Sequence, residues 1–173
     1  TFDIDLADAD RGVYEHLDLR VARHPSESDT FLVARVLAYC LEHTDGIAFS
    51  EGVSADDEPA VLVRDLTGAL QAWIEVGAPD AARLHKASKA APRVAIYTHK
   101  EPRLVLRAYA GERIHRAESI VLHAIDKELL EALVARLDRR VTFELSVTDR
   151  QLYVTIGGEV LSGEVVAYPL PQE

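Results

Sequence analysis

A chain of 173 residues, 48% hydrophobic and 28% charged, has an ordinary globular balance, and its length fits a single domain spanning residues 1–173. A net charge of -10 argues against broad, sequence-independent nucleic-acid binding, which rests on many Lys and Arg contacts to phosphate. The single cysteine, Cys40, excludes an internal disulfide, no apolar run approaches the roughly 18 residues of a membrane span, and no basic amphipathic helix suits a membrane surface, so a reduced cytoplasmic setting is expected.

Residues 1–22 read as two extended runs joined at the turn-rich stretch Asp8 to Gly12. Residues 26–44 read as a helix, with Ser26 as N-cap and Asp29 three residues on. Val33, Val36, Leu37, Cys40 and Leu41 then fall on one apolar face. Ala60 to Val63 and Leu70 to Val76 read as strands joined by the turn Asp65 to Gly68. Gly77 and Pro79 break the second strand, and Asp80 can cap a helix running to about Ala91. Val94 to Tyr97 and Ser119 to Ile125 are apolar without alternation, which fits strands covered on both faces of a parallel or mixed sheet. Pro102 to Ala110 and Asp126 to Leu137 read as helices, and residues 141–168 alternate as an antiparallel β tail. The fold class expected is therefore α/β or α+β.

Several chemistries are missing from the pattern. No two of the seven histidines stand three or four apart, and one cysteine cannot build a structural zinc site. There is no phosphate-binding glycine loop and no nucleophile elbow. Cys40 lies on the apolar face of its helix and reads as a buried, inert thiol.

Carboxylates around a hairpin are present. Asp56, Asp57 and Glu58 precede the first strand, and Glu75 stands near the end of the second, flanked by Trp73, Ile74 and Val76. A carboxylate buried there is costly unless it is paired or bound to a cation. Antiparallel pairing brings the start of one strand to the end of its partner. Two unit charges about 4 Å apart repel by roughly 1–4 kcal/mol, so such a cluster wants a cation, and hard oxygen donors suit Mg2+ or Mn2+. The bland alternatives are a strand-end Glu75 paired with Arg or Lys, and a solvated acidic turn.

The stretches Leu19 to Glu27 (with Arg-His-Pro-Ser-Glu at 23–27), Leu37 to Leu41, Ser54 to Pro59 (with Ala-Asp-Asp-Glu-Pro at 55–59), Trp73 to Pro79, Lys86 to Ser88 and Val94 to Thr98 resemble, in this order, the YaeQ family of small bacterial proteins. The resemblance spans essentially the whole chain. It implies a variant of the PD-(D/E)XK restriction-endonuclease-like fold: an αβββαβ core with a mixed sheet flanked by helices, here with extra antiparallel strands at both termini. It also implies site residues. Glu27 would be the helix acid, Asp57 (or less readily Glu58) the acid before the strand, and Glu75 the first residue of the E-x-K tripeptide. The lysine of that tripeptide is replaced by Gly77, and Asp57-Glu58-Pro59 does not reproduce Pro-Asp. Lys86, in the helix that follows, would be the substitute.

The activity implied is metal-assisted phosphodiester hydrolysis. Asp57 or Glu58, with Glu75, would hold Mg2+ or Mn2+, Lys86 would position water, and Arg23, His24 and Arg83 would contact the phosphates of a nucleic acid or nucleotide. A binding or regulatory protein that keeps the fold without the reaction is the other reading.

Overall fold

The computed structural model describes residues 1–50 and 58–171. Its strands are β1 (Phe2–Asp8), β2 (Val13–Leu19), β3 (Ile47–Phe49), β4 (Val61–Arg64), β5 (Leu70–Val76), β6 (Arg93–Thr98), β7 (Val121–Ile125), β8 (Val141–Thr148), β9 (Gln151–Ile156) and β10 (Glu159–Pro169). The helices are α1 (Asp29–Leu41), α2 (Ala81–Ala90), α3 (Pro102–Arg107) and α4 (Lys127–Val134). The described strands make one mixed sheet in the order β2-β1-β8-β9-β10-β7-β6-β5-β4-β3.

Two cores sandwich this sheet. On one face α1 and α4 bury Val33, Leu37, Leu130 and Leu133 against Ile74 and Val76 of β5 and Ala95 and Tyr97 of β6. On the other, Leu84 of α2 and Val105 of α3 meet Trp73, Val94 and Ile96. Alternate residues of β5 and β6 thus serve opposite cores, which is why both runs lack a polar face. The parity puts Glu75 on the same side as Trp73, toward α2. Among the described residues no helix is long and apolar enough to cross a membrane.

Most expected elements form near their expected bounds. The α1 helix starts later than its composition suggests, because Ser28 and not Ser26 is the N-cap, accepting from the Phe31 N–H at 3.0 Å. Ser26 is engaged with the ring of His24 instead. Glu27 therefore lies just ahead of the helix. The terminal strands are not purely antiparallel. β1 pairs antiparallel with β2 but parallel with β8, Phe2 standing opposite Val141. Short β3, which carries no alternation of its own, adds an edge strand beside β4.

β10 spans two neighbours. Residues 159–164 pair with β9 and residues 165–169 with β7, so this one strand joins the two halves of the sheet. Gly163 sits at the changeover, where a Cβ would fall 2.7 Å from Asp126 Cβ and 2.9 Å from Leu129 Cβ. Only glycine lets α4 lie this close to the strand.

A polar network crosses the α1 face. Glu42, just past α1, accepts from Tyr97 Oη at 2.5 Å and from both Nη groups of Arg93. The Tyr97 ring stacks on His123 with centroids 4.5 Å apart. Arg150 Nη2 lies 2.7 Å from His123 Nδ1. Arginine only donates, so Nδ1 accepts and the ring is neutral with its proton on Nε2. Burial, aided by Arg150, pushes the His123 pKa down to about 4. Cys40 is fully buried, and burial pushes its thiol up to about 12.

Candidate functional site

The residues that end β5 turn out of the sheet at Gly77-Ala78-Pro79. Here the end of β5, the start of β4, the approach to α1 and the end of β6 enclose a cleft of about 390 Å³. Its described walls carry Glu27, Glu58, Glu75, Arg83, His99 and Lys100.

Glu75 is 5% exposed. Trp73 Nε1 donates to its Oε1, and so does Arg83 Nε, at 2.8 Å. Trp73 stands two residues away on the same strand face, and Arg83 is in the first turn of α2. The Asp80 cap fixes that turn by accepting from the Arg83 N–H at 2.8 Å. Arg83 Nη2 also donates to the Glu58 carbonyl at 2.6 Å, and the guanidinium lies 5.7 Å from the Trp73 ring centroid. One side chain thus ties α2, β5 and the approach to β4 together. Burial pushes the Glu75 carboxyl above its ordinary range, and the Arg83 charge opposes that push.

Glu27 is 6% exposed, and its partner Arg35 is 2% exposed. Arg35 Nη1 donates to Glu27 Oε1 at 3.1 Å, Nη2 to the Ser50 carbonyl at 3.0 Å and Nε to the Ala60 carbonyl at 3.2 Å. Its guanidinium carbon lies 5.1 Å from the Phe49 ring centroid. Glu27 Oε2 is buried with no hydrogen-bond partner among the described residues. Burial raises the Glu27 pKa, with Arg35 pulling it down. An oxygen of this kind is the donor a cation or a proton would seek.

On the opposite wall His99 presents its ring edge-on to Phe31, with centroids 6.1 Å apart. Its Nδ1 is likewise buried without a partner among the described residues, and burial together with Lys100 holds its pKa below the ordinary value.

Four of the residues singled out in the sequence therefore meet in one cleft: Glu27, Glu58, Glu75 and Arg83. Asp57 lies outside the described residues. Lys86 is exposed on α2 and is not among the residues lining the cleft. Arg23 pairs with Asp29 at 2.5 Å, and His24 Nδ1 lies 2.6 Å from Ser26 Oγ; both hold the start of α1 rather than line the cleft. Among the described residues no three His, Cys, Asp or Glu side chains form a preassembled metal cluster.

Three site residues escaped the sequence reading. Arg35 had a signal, a lone charge within an apolar helix. His99 and Lys100 had a positional one: they directly follow the β6 run, and ligands of such sheets gather outside the carboxyl ends of parallel strands.

A family model described as YaeQ protein matches residues 1–165. The chain belongs to the YaeQ family. YaeQ of Escherichia coli strain K12 is 28% identical over 170 residues, covering 97% of this chain and 93% of that protein. YaeQ of Salmonella typhi shows the same identity and coverage. The crystal structure of YaeQ from Pseudomonas syringae superposes with a TM-score of 0.85 at 30% identity, over 99% of this chain and 94% of that one. YaeQ from Xanthomonas axonopodis pv. citri gives 0.88 at 28% identity, over 98% and 97%. The ten-stranded sheet and its flanking helices are thus closely similar to those of solved YaeQ proteins.

Proposed function

We propose that the cleft at the end of β5 is a metal-assisted phosphodiester-hydrolysing site on a PD-(D/E)XK nuclease-like core, acting on a nucleic acid or nucleotide. One observation carries this reading. Two carboxylates, Glu27 and Glu75, are each more than nine-tenths buried yet line the same cleft, which Arg83 and Lys100 share. Burying two acids in one place is expensive, and a fold spared that expense would place apolar residues there. The chain succession α1-β3-β4-β5-α2-β6 supports the core assignment, since it has the αβββαβ order, with β5 antiparallel to β4 and parallel to β6.

The donor set suits a hard divalent cation in its chemistry. Glu75 with Asp57 or Glu58 would hold Mg2+ or Mn2+, and the orphaned Oε2 of Glu27 adds a further oxygen. Bound there, the ion would lower the pKa of water and neutralise charge on the phosphate. Glu75 Oε1 already accepts from Trp73 and Arg83, so the carboxylate is held in place before any ion binds. In the hydrolysis a water oxygen bonds to phosphorus, the ester P–O bond breaks, and the proton lost by water ends on the leaving oxygen.

The second reading, a binding protein without turnover, draws on one specific observation. Gly77 holds φ +93°, a backbone geometry that lysine rarely adopts, at the place of the E-x-K lysine.

Thermal melts with Mn2+ test the metal site. At a hundredfold excess over Kd the gain is about 2.7 kcal/mol. For a domain of this size that corresponds to roughly 5–11 °C in Tm. The shift should vanish in Glu75→Gln. No shift in the wild type, or an equal shift in Glu75→Gln, refutes the site. Mn2+-dependent cleavage of DNA, RNA or nucleotides that Glu75→Gln abolishes supports hydrolysis, whereas a metal shift without cleavage selects the binding reading.

A further inference from the structure

We infer that Lys100, carried with His99 at the end of β6, is the cation that contacts the phosphate oxygens of the ligand, so that this role sits on the strand beside β5 rather than on β5 itself or on α2. The inference deepens the phosphodiester reading and rests on it.

The argument begins at position 77. With φ at +93° the backbone disfavours every residue but glycine. A Cβ built there would point at Phe31, 3.5 Å from its Cε2, and at His99, 3.8 Å from its Cε1. The space a side chain from β5 would enter is thus bordered by the ring of His99.

The parallel register explains why β6 supplies the replacement. Val76 stands opposite Tyr97, and the Gly77 N–H donates to the Tyr97 carbonyl at 2.9 Å. The residues after Tyr97 therefore emerge beside the break in β5. Fully buried Thr98 accepts from the Lys100 N–H through Oγ1 at 3.0 Å, which turns the chain at His99 and Lys100. Both residues line the cleft. Lys100 also lines an adjoining hollow of about 300 Å³ with Pro79 and Leu104, which places it where the two cavities meet.

The other cations are differently employed. Arg83 holds Glu75 and the Glu58 carbonyl, Arg35 holds Glu27, and Lys86 lies exposed on α2 away from the cleft lining. Lys100 is exposed and its ammonium makes no ion pair among the described residues. His99 adds a buried Nδ1 with no partner among the described residues on the same wall. An ammonium and an imidazole nitrogen on successive residues, neither with a side-chain partner among the described residues, at the carboxyl ends of two parallel strands, are chemistry that recognises a phosphate group.

Calorimetric titration of the full chain with inorganic phosphate, with and without Mn2+, tests the assignment. Lys100→Ala should weaken phosphate binding at least tenfold, and Lys100→Arg should stay within threefold of wild type. Lys89→Ala, which removes one exposed charge from the end of α2, serves as the control and should match wild type. Lys100 is exposed, so each variant should keep the wild-type melting temperature, and the comparison reads binding rather than folding. Phosphate binding by Lys100→Ala equal to wild type overturns the inference. So does a loss in Lys86→Ala as large as that in Lys100→Ala, or an absence of phosphate binding by wild type. The Mn2+ shift and its dependence on Glu75 are read separately, so failure of the metal site and failure of the Lys100 assignment give different results.

Discussion

Replacing Arg35 by alanine should cost more stability than any other single change around the cleft. The guanidinium is 2% exposed and serves Glu27 Oε1 and the carbonyls of Ala60 and Ser50 at 3.0–3.2 Å. Removing it leaves a buried carboxylate without its cation and takes one donor from each of two carbonyls, and breaking a buried pair from one side costs about 3–5 kcal/mol. At 2–4 °C per kcal/mol for a chain of this size, Tm should fall by roughly 6–20 °C. Arg35→Lys should recover only part of the loss, because an ammonium cannot present the fork that reaches three acceptors. The deficit should also depend on pH. Without Arg35 the Glu27 pKa, already raised by burial, rises further. The native state then holds a proton that the unfolded chain releases, so the variant loses stability as pH rises through that range. Urea denaturation at pH 5 and pH 7 reads both effects. A loss below about 1 kcal/mol, a lysine variant equal to wild type, or a deficit that grows on acidification would refute the reasoning.

Two further perturbations follow from the same geometry. The His123 pKa falls from 6.5 to about 4 on folding, so below pH 6.5 the unfolded chain takes up a proton that the native ring refuses. Acidification from pH 6.5 to 4 should therefore remove up to about 3 kcal/mol, and His123→Phe, which keeps an aromatic ring beside Tyr97, should flatten that slope; parallel pH–stability curves for the two proteins would count against it. Gly77→Ala should lower stability by about 1–2 kcal/mol through its positive φ, read as a Tm drop of roughly 2–8 °C, and an unchanged Tm would contradict the backbone argument.

Much of the fold was legible because its signals are local. The Val33, Val36, Leu37, Cys40 and Leu41 face of α1, the Asp65 to Gly68 turn and the Asp80 cap are each written in a few adjacent residues, and the structure places them as read. What was not legible depends on distant partners. Ser26 and Ser28 are equivalent caps by composition, and the ring of His24 decides between them by engaging Ser26. The parallel pairing of β1 with β8 joins segments more than 130 residues apart, and no local pattern marks it. In the site, Glu75 was visible as a charge in an apolar strand. Its partner Arg83 comes from the next helix, and only the fold joins the two. The register of β5 against β6 brings Lys100 to the cleft, a placement that only the pairing of separate strands decides.

The placement of β10 has a consequence for how the chain is assembled during synthesis. Ten described strands share one sheet, yet a central one is made after the other nine. Until residues 159–169 leave the ribosome, β9 and β7 each present an open row of backbone donors and acceptors, and no backbone hydrogen-bonded path joins β1 and β2 to the strands that carry the cleft. The nascent molecule therefore holds two unfinished sheets, each able to recruit a stranger's strand. The eleven-residue β10 closes both at once.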